Sequence, residues 1–367
     1  AILALGIMPY ISASIAIQLM TSVIPTLEQL KKEGEQGRKV INQYTRYGTV
    51  FLATLQAYGI AVGLESANGI VADPGWFFRL SAVVSLVGGT MFLMWLGEQI
   101  TARGIGNGIS LIIFAGIVAG MPAAIAGTLE LSRTGALSAG LVVAIIVLAI
   151  AVIALIVFVE RAQRRLLIQY PKRQVGNRMF QGDSSHLPLK LNTAGVIPAI
   201  FASSLLLLPA TLAGFSDTST LPDWATVVLA ALGHGQPLYM VFYGALIAFF
   251  AFFYTALVFN PQDTADNLKN HSGFIPGIRP GQRTAEYIDY VLTRITVVGA
   301  IYLVLVCLLP EFLIARTGVP FYLGGTSLLI VVSVTLDTVA QVQGHLFAHQ
   351  YEGLIKKSKL RGGKKRR

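Results

Sequence analysis

The chain has 367 residues, of which 54% are hydrophobic, with a mean hydropathy of +0.65 and a formal net charge of +10. That much apolar sequence excludes an ordinary water-soluble domain and bounds the chain as a polytopic membrane protein. The single cysteine, Cys307, excludes an intrachain disulfide framework.

Nine apolar runs, at 2–24, 47–64, 80–97, 109–129, 139–159, 193–213, 238–259, 295–314 and 321–340, predict nine transmembrane helices. All 28 Lys and Arg residues fall between or after these runs. Alternate connections carry 25 of the 28, so the positive-inside rule puts those connections and the C-terminus in the cytoplasm. Nine crossings then start the chain on the outer side, and a tenth helix is expected before residue 1. The predicted halves are 1–138, with four helices, and 139–340, with five. A basic tail, 341–367, is expected to be disordered and to meet anionic lipid or RNA.

The first run contains "GIMPYISAS" at 6–14, which reads against "GVIPAIFAS" at 195–203 in the sixth run. The shared core is P-x-I-x-A-S, and the two copies cross the membrane in opposite directions. An inverted-topology repeat places the working site between the halves near the midplane, in a five-plus-five bundle. Ile11 and Ile200 fall roughly 3 and 4.5 Å from the centres of the predicted helices. Ser12, Ser14, Gln18, Ser203 and Ser204 offer hydrogen bonds between helices, although a helical serine also bonds its own i−4 carbonyl.

Phosphate-cradling, nucleophile-elbow and zinc-protease motifs are missing from the sequence. His345 and His349 have a metal-compatible spacing but no third ligand nearby, so neither metal nor cofactor is expected, and no enzymatic activity. Among acidic and basic residues only Asp337 and Glu311 fall inside predicted spans, each near an end of its run. Glu98 and Glu160 stand at inner boundaries, where they cap or hydrate helix ends.

Two cytoplasmic connections are large. Residues 160–190 mix cations with aliphatic residues, and residues 260–294 hold "PGIRPG", which brackets Arg279 with turn residues at an exposed tip. Protruding basic loops suit docking onto RNA phosphate or an acidic protein surface.

The stretches "GIMPYISASI", "KKEGEQGRK", "QYTRYGT", "GVIPAIFASS", "FYTALVFNP", "TADNLK", "PGIRPG" and "PFYLGGTSLLI" resemble the bacterial SecY family, in order and along essentially the whole chain. Members of that family are channel subunits of the Sec protein translocon. The resemblance implies an all-α polytopic membrane protein, with nine helices here of a ten-helix inverted-repeat bundle, the family's first helix and plug helix preceding the matched residues. It implies a channel in the bacterial cytoplasmic (inner) membrane that translocates unfolded secretory polypeptides and inserts membrane proteins. SecE and SecG are the implied subunits, and the SecA ATPase or a ribosome, through its RNA and protein, the implied motor.

The family's pore ring carries over onto Ile7, Ile11, Ile113, Ile200 and Ile330. An aliphatic collar closes around a chain of any sequence and opposes ions by dewetting when empty. The lateral gate implied by the resemblance runs between the first, second, sixth and seventh runs, with Ser12, Gln18, Phe201 and Ser204 along it and Pro9 and Pro198 expected to kink it. Lys172, Arg173, Arg178 and Arg279 are the implied ribosome or motor contacts. Asn177 stands where the family often has an arginine before Arg178. Two other readings stay open on the residues alone: an inverted-repeat transporter for a small solute, poorly supplied with intramembrane charge, and a scaffold.

Overall fold

The computed structural model describes residues 2–67, 69–175, 178–180, 182–214, 222–318 and 325–362. Short turns over residues 2–7 lead into α1 (Met8–Val23), which bends by 99° into α2 (Pro25–Lys32). α3 (Glu35–Ser66), α4 (Trp76–Arg103), α5 (Gly108–Arg133) and α6 (Ala139–Arg161) follow as long apolar helices. Their starts are legible: Asn107 caps α5 by accepting from the Ile109 N–H at 3.1 Å, and Ser138 caps α6 through the Leu141 N–H at 3.3 Å.

After α6 the sequence predicts loop, and the chain instead forms four short strands outside the membrane bundle. β1 (Gln163–Gln169) pairs antiparallel with β4 (Ser184–Lys190), and β2 (Arg173–Val175) with β3 (Arg178–Phe180). Leu166 and Ile168 alternate inward from β1, and Leu166 stands opposite Leu187. Short-range alternation inside a cation-rich stretch is what hid these strands.

The second half continues through α7 (Ile197–Gly214), α8 (Asp223–Ala231), α9 (Pro237–Val258), α10 (Pro261–Asn270), α11 (Gln282–Thr317) and α12 (Gly325–Gly362). Among the described residues, seven helices are long and apolar enough to cross a membrane, and the bent α1–α2 pair makes an eighth. The remaining predicted run, the sixth, coincides with α7, whose apolar part, Ile197–Pro209, is shorter.

Two boundaries differ from expectation. α11 begins at Gln282, about 20 Å ahead of the predicted span. α12 runs on to Gly362 through the tail expected to be disordered, because residues 341–362 hold no proline and are rich in helix formers. Residues 363–367 lie outside the described part.

The main core gathers α1, α6, α7, α9, α11 and α12 around Ile11, Ile156, Ile247, Leu303 and Leu329. In the first half, α3 presents Thr45, Thr49, Ala53, Ala57 and Ala61 at every fourth position, all buried, and packs on α1 and α4. Small residues let helix backbones approach closely where lipid offers no hydrophobic drive for association. Gly97 and Gly108 do the same between α4 and α5: a Cβ on Gly108 would run into the Gly97 carbonyl.

Candidate pore and docking face

The two repeat copies build the same backbone device. Gly6 and Gly195 both take positive φ, +58° and +65°, and a helix starts two residues later. Pro9 and Pro198 are the second residues of α1 and α7, where a missing N–H costs nothing. The prolines therefore begin these helices and do not kink them. Four residues before each glycine, the carbonyls of Ile2 and Leu191 lie against Gly89 of α4 and Gly299 of α11, where a Cβ would collide.

Late helix starts also relocate two isoleucines. Ile11 and Ile200 are each the fourth residue of their helix, not near its centre, and each donates its N–H to a carbonyl four residues back at 3.2 Å. Both helices thus begin inside the packed protein, a pattern tolerated at membrane depth where the freed backbone groups are covered by protein or line a cavity.

Ile7 and Ile11 are buried in the main core, and Ile113 and Ile200 pack against it half-buried. Ile330 is buried beside Leu329. Ile113, Ile200 and Ile330, from α5, α7 and α12, line one cavity of about 570 Å³. The same cavity is lined by Asn107, Glu160, Arg161, Lys190, Ser333 and Asp337, so its apolar part lies below a polar mouth on the face that carries the strands.

The carboxylates at the predicted boundaries have specific partners. Arg46 of α3 meets Glu98 of α4 with two guanidinium nitrogens, at 2.7 and 3.3 Å. Glu160 accepts from the Asn192 side-chain amide at 2.8 Å, and the second contact of that amide nitrogen is the Gly195 carbonyl at 3.1 Å. Asp337 is exposed in the cavity mouth. Asn192 escapes sequence reasoning because nothing in "KLNTAG" separates a buried polar hub from an ordinary turn residue.

α7 touches α1 and α3 of the first half and α9 of its own. Along this seam Ser12 is half-buried and Gln18 exposed. Ser204 is 5% exposed, with no hydrogen-bond partner for its hydroxyl among the described residues. Phe201 faces its own half: its ring meets Phe250 edge-on at 5.6 Å and Tyr254 at 6.0 Å, both on α9.

The two large connections form one unit outside the bundle. Leu166 and Leu189 of the sheet pack with Ile275, Ile288, Val291 and Ile295 in a second small core. Gln169 and Phe274 pair as an isolated antiparallel bridge. Arg279 is exposed between Gly277 and Gly281, at φ +84° and +107°, and its carbonyl accepts from the Thr284 hydroxyl at 2.9 Å. Lys172 is exposed; the side chains of Arg173 and Arg178, and all of Asn177, lie outside the described part.

A family profile described as SecY matches residues 1–339. The protein translocase subunit SecY of Vibrio cholerae serotype O1 is 60% identical over 365 residues, covering 98% of this chain and 82% of that protein. The Escherichia coli K12 subunit of the same name is 59% identical over 364 residues, covering 98% and 82%. Among solved structures, a SecY studied for its plug domain matches with TM-score 0.69 at 18% identity, covering 93% of this chain and 82% of that one. Sec61 from a canine ribosome-channel complex matches with TM-score 0.65 at 17% identity, covering 93% and 81%. With that identity sustained over nearly its whole length, and this helical bundle, the chain is a multi-pass membrane protein that belongs to the SecY family.

Proposed function

We propose that this chain is the protein-conducting channel subunit of a bacterial translocase, passing unfolded polypeptide across the cytoplasmic membrane and releasing apolar segments sideways into lipid. The observation that carries it is the convergence of Ile113, Ile200 and Ile330, from three helices of both halves, on one cavity with a polar mouth. A solute transporter needs groups that recognise its solute, and here Ile113, Ile200 and Ile330 give the cavity an aliphatic wall, which suits a substrate of any sequence. The relatives' names, protein translocase subunit, agree with this reading.

In this reading Ile7, Ile11, Ile113, Ile200 and Ile330 form the collar that closes the empty channel. The seam of α1 and α3 against α7 and α9 is the lateral gate, carrying Ser12, Gln18 and Ser204, with Phe201 bracing α7 on α9 behind it. A more apolar segment entering the seam shifts the gate toward its open population. The strand-bearing face is cytoplasmic, and so is the C-terminus, a reading supported by the excess of cations in those connections. Lys172, Arg173, Arg178 and Arg279 meet the SecA ATPase or the ribosome there, SecE and SecG complete the complex, and anionic lipid neutralises the basic tail.

The test is translocation of a secretory precursor into vesicles holding the purified complex and a motor. Protease-protected precursor that depends on this subunit is the expected result. Protection unchanged when the subunit is omitted would overturn the reading.

A further inference from the structure

The docking loops and the gate helix are joined by a short connection, Leu191 to Val196, between β4 and α7. Three contacts hold it. The Leu191 N–H donates to the Ala162 carbonyl at the end of α6, at 3.1 Å. The Leu191 carbonyl rests on Gly299 of α11, where a Cβ would stand 2.6 Å away. Asn192, 5% exposed, spends its amide on Glu160 of α6 and on the carbonyl of Gly195, the residue whose positive φ turns the chain into α7.

The inverted repeat supplies an internal control. The first half makes the same turn, with Ile2 seated on Gly89 and Gly6 at positive φ, yet the position equivalent to Asn192 is Leu3, which is 49% exposed. The turn therefore forms without a buried amide. What the amide adds in the second half is a tie between α6, the strand that enters from the docking face, and the first turn of the helix that carries Ile200.

We propose that Asn192 is a positioning residue, paired with Glu160, that latches the start of α7 in the closed state and couples displacement of the docking loops to the pore and gate. This inference rests on the channel reading. A pull on β4 reaches Asn192 two residues beyond the strand's end, and breaking its bonds frees Gly195 to swing α7. A buried hydrogen bond of this kind biases a two-state equilibrium by about tenfold, enough to hold an idle channel shut and little enough for a docked motor to reverse.

The test uses the full chain assembled with its partner subunits, in three variants. Asn192→Leu keeps the size and removes both donors. Asn192→Asp sets a carboxylate against Glu160. The double variant Glu160→Gln with Asn192→Asp exchanges donor and acceptor and restores one bond. Two readouts are taken: ion leak of the idle complex in planar bilayers, and translocation of a precursor with a weakened signal segment. Both single variants are expected to raise leak about tenfold and to pass the weakened precursor, and the double variant to return toward wild type.

Single variants matching wild type in both readouts would overturn the latch, as would a double variant no closer to wild type than Asn192→Asp. Single variants that fail to assemble, with no recovery in the double variant, would show a merely structural role and overturn it too. A wild-type complex that moves precursor while all variants behave alike defeats the latch alone. A wild-type complex that moves none defeats the channel reading and the latch with it.

Discussion

Gln169 and Phe274, more than a hundred residues apart in sequence, exchange two backbone hydrogen bonds: the Gln169 N–H to the Phe274 carbonyl at 2.9 Å and the reverse at 3.0 Å. That bridge, with the small core beneath it, makes the two basic loops a single surface. Gly273 sits at the join, where a Cβ would lie 3.1 Å from the Tyr170 ring and 3.2 Å from Ile168. Gly273→Val should therefore separate the loops at a cost of about 1–3 kcal/mol. Motor-driven translocation is expected to fall, with idle leak unchanged; undiminished SecA ATPase stimulation by the variant complex would contradict this.

Arg279 tests the docking face at its tip. Its carbonyl is fixed by Thr284, its flanking glycines take conformations other residues adopt only under strain, and its side chain is left exposed. Arg279→Lys should impair precursor translocation and Arg279→Glu nearly abolish it, because an ammonium cannot reproduce the two-pronged guanidinium contact. The thermal midpoint of both complexes should match wild type. Normal translocation and ATPase stimulation in the Glu variant would remove this tip from the docking surface.

The collar is tested by polarity at constant fold. Replacing Ile11 and Ile200 together with Asn should wet the constriction and raise single-channel leak, while Leu at both positions should be nearly silent. Conductance in planar bilayers distinguishes the two. Equal leak in the Asn and wild-type channels would take both residues out of the collar.

Close packing of α4 on α5 gives a stability prediction independent of transport. The Gly108 N–H donates to the Thr101 hydroxyl at 2.8 Å, and a methyl at Gly108 would meet the Gly97 carbonyl and lie 2.9 Å from Ile100 Cβ. Gly108→Ala should destabilise the detergent-solubilised complex by about 1–3 kcal/mol, read as a lowered thermal midpoint. Gly116→Ala, in open space on the same helix, should leave the midpoint unchanged.

Orientation is checked by labelling. A cysteine at Ser272, exposed on the strand-bearing face, should react with an impermeant maleimide only from the cytoplasmic side, and one at Asp73 only from outside. Reaction of the Asp73 variant from the cytoplasm would invert the topology.

Much of this protein is settled by local physics that any reader of the sequence can apply. Apolar runs must become helices in lipid because only a helix satisfies its own backbone groups there. Cations stay out of hydrocarbon, so their distribution sets which loops share a side. The matched P-x-I-x-A-S segments carry their symmetry openly, since the Gly-x-x-Pro entry that starts α1 and α7 is written in four consecutive residues. What lies between residues distant in the chain is another matter. Whether Glu160 hydrates a helix end or holds Asn192, whether Phe201 faces the seam or α9, and whether two loops are separate or bridged at Gln169 and Phe274 were decided by tertiary structure alone. Each of these depends on which surfaces the packed helices bring within a few ångströms, and hydrogen bonds and ring contacts act only at that range, so residue type and spacing do not specify them.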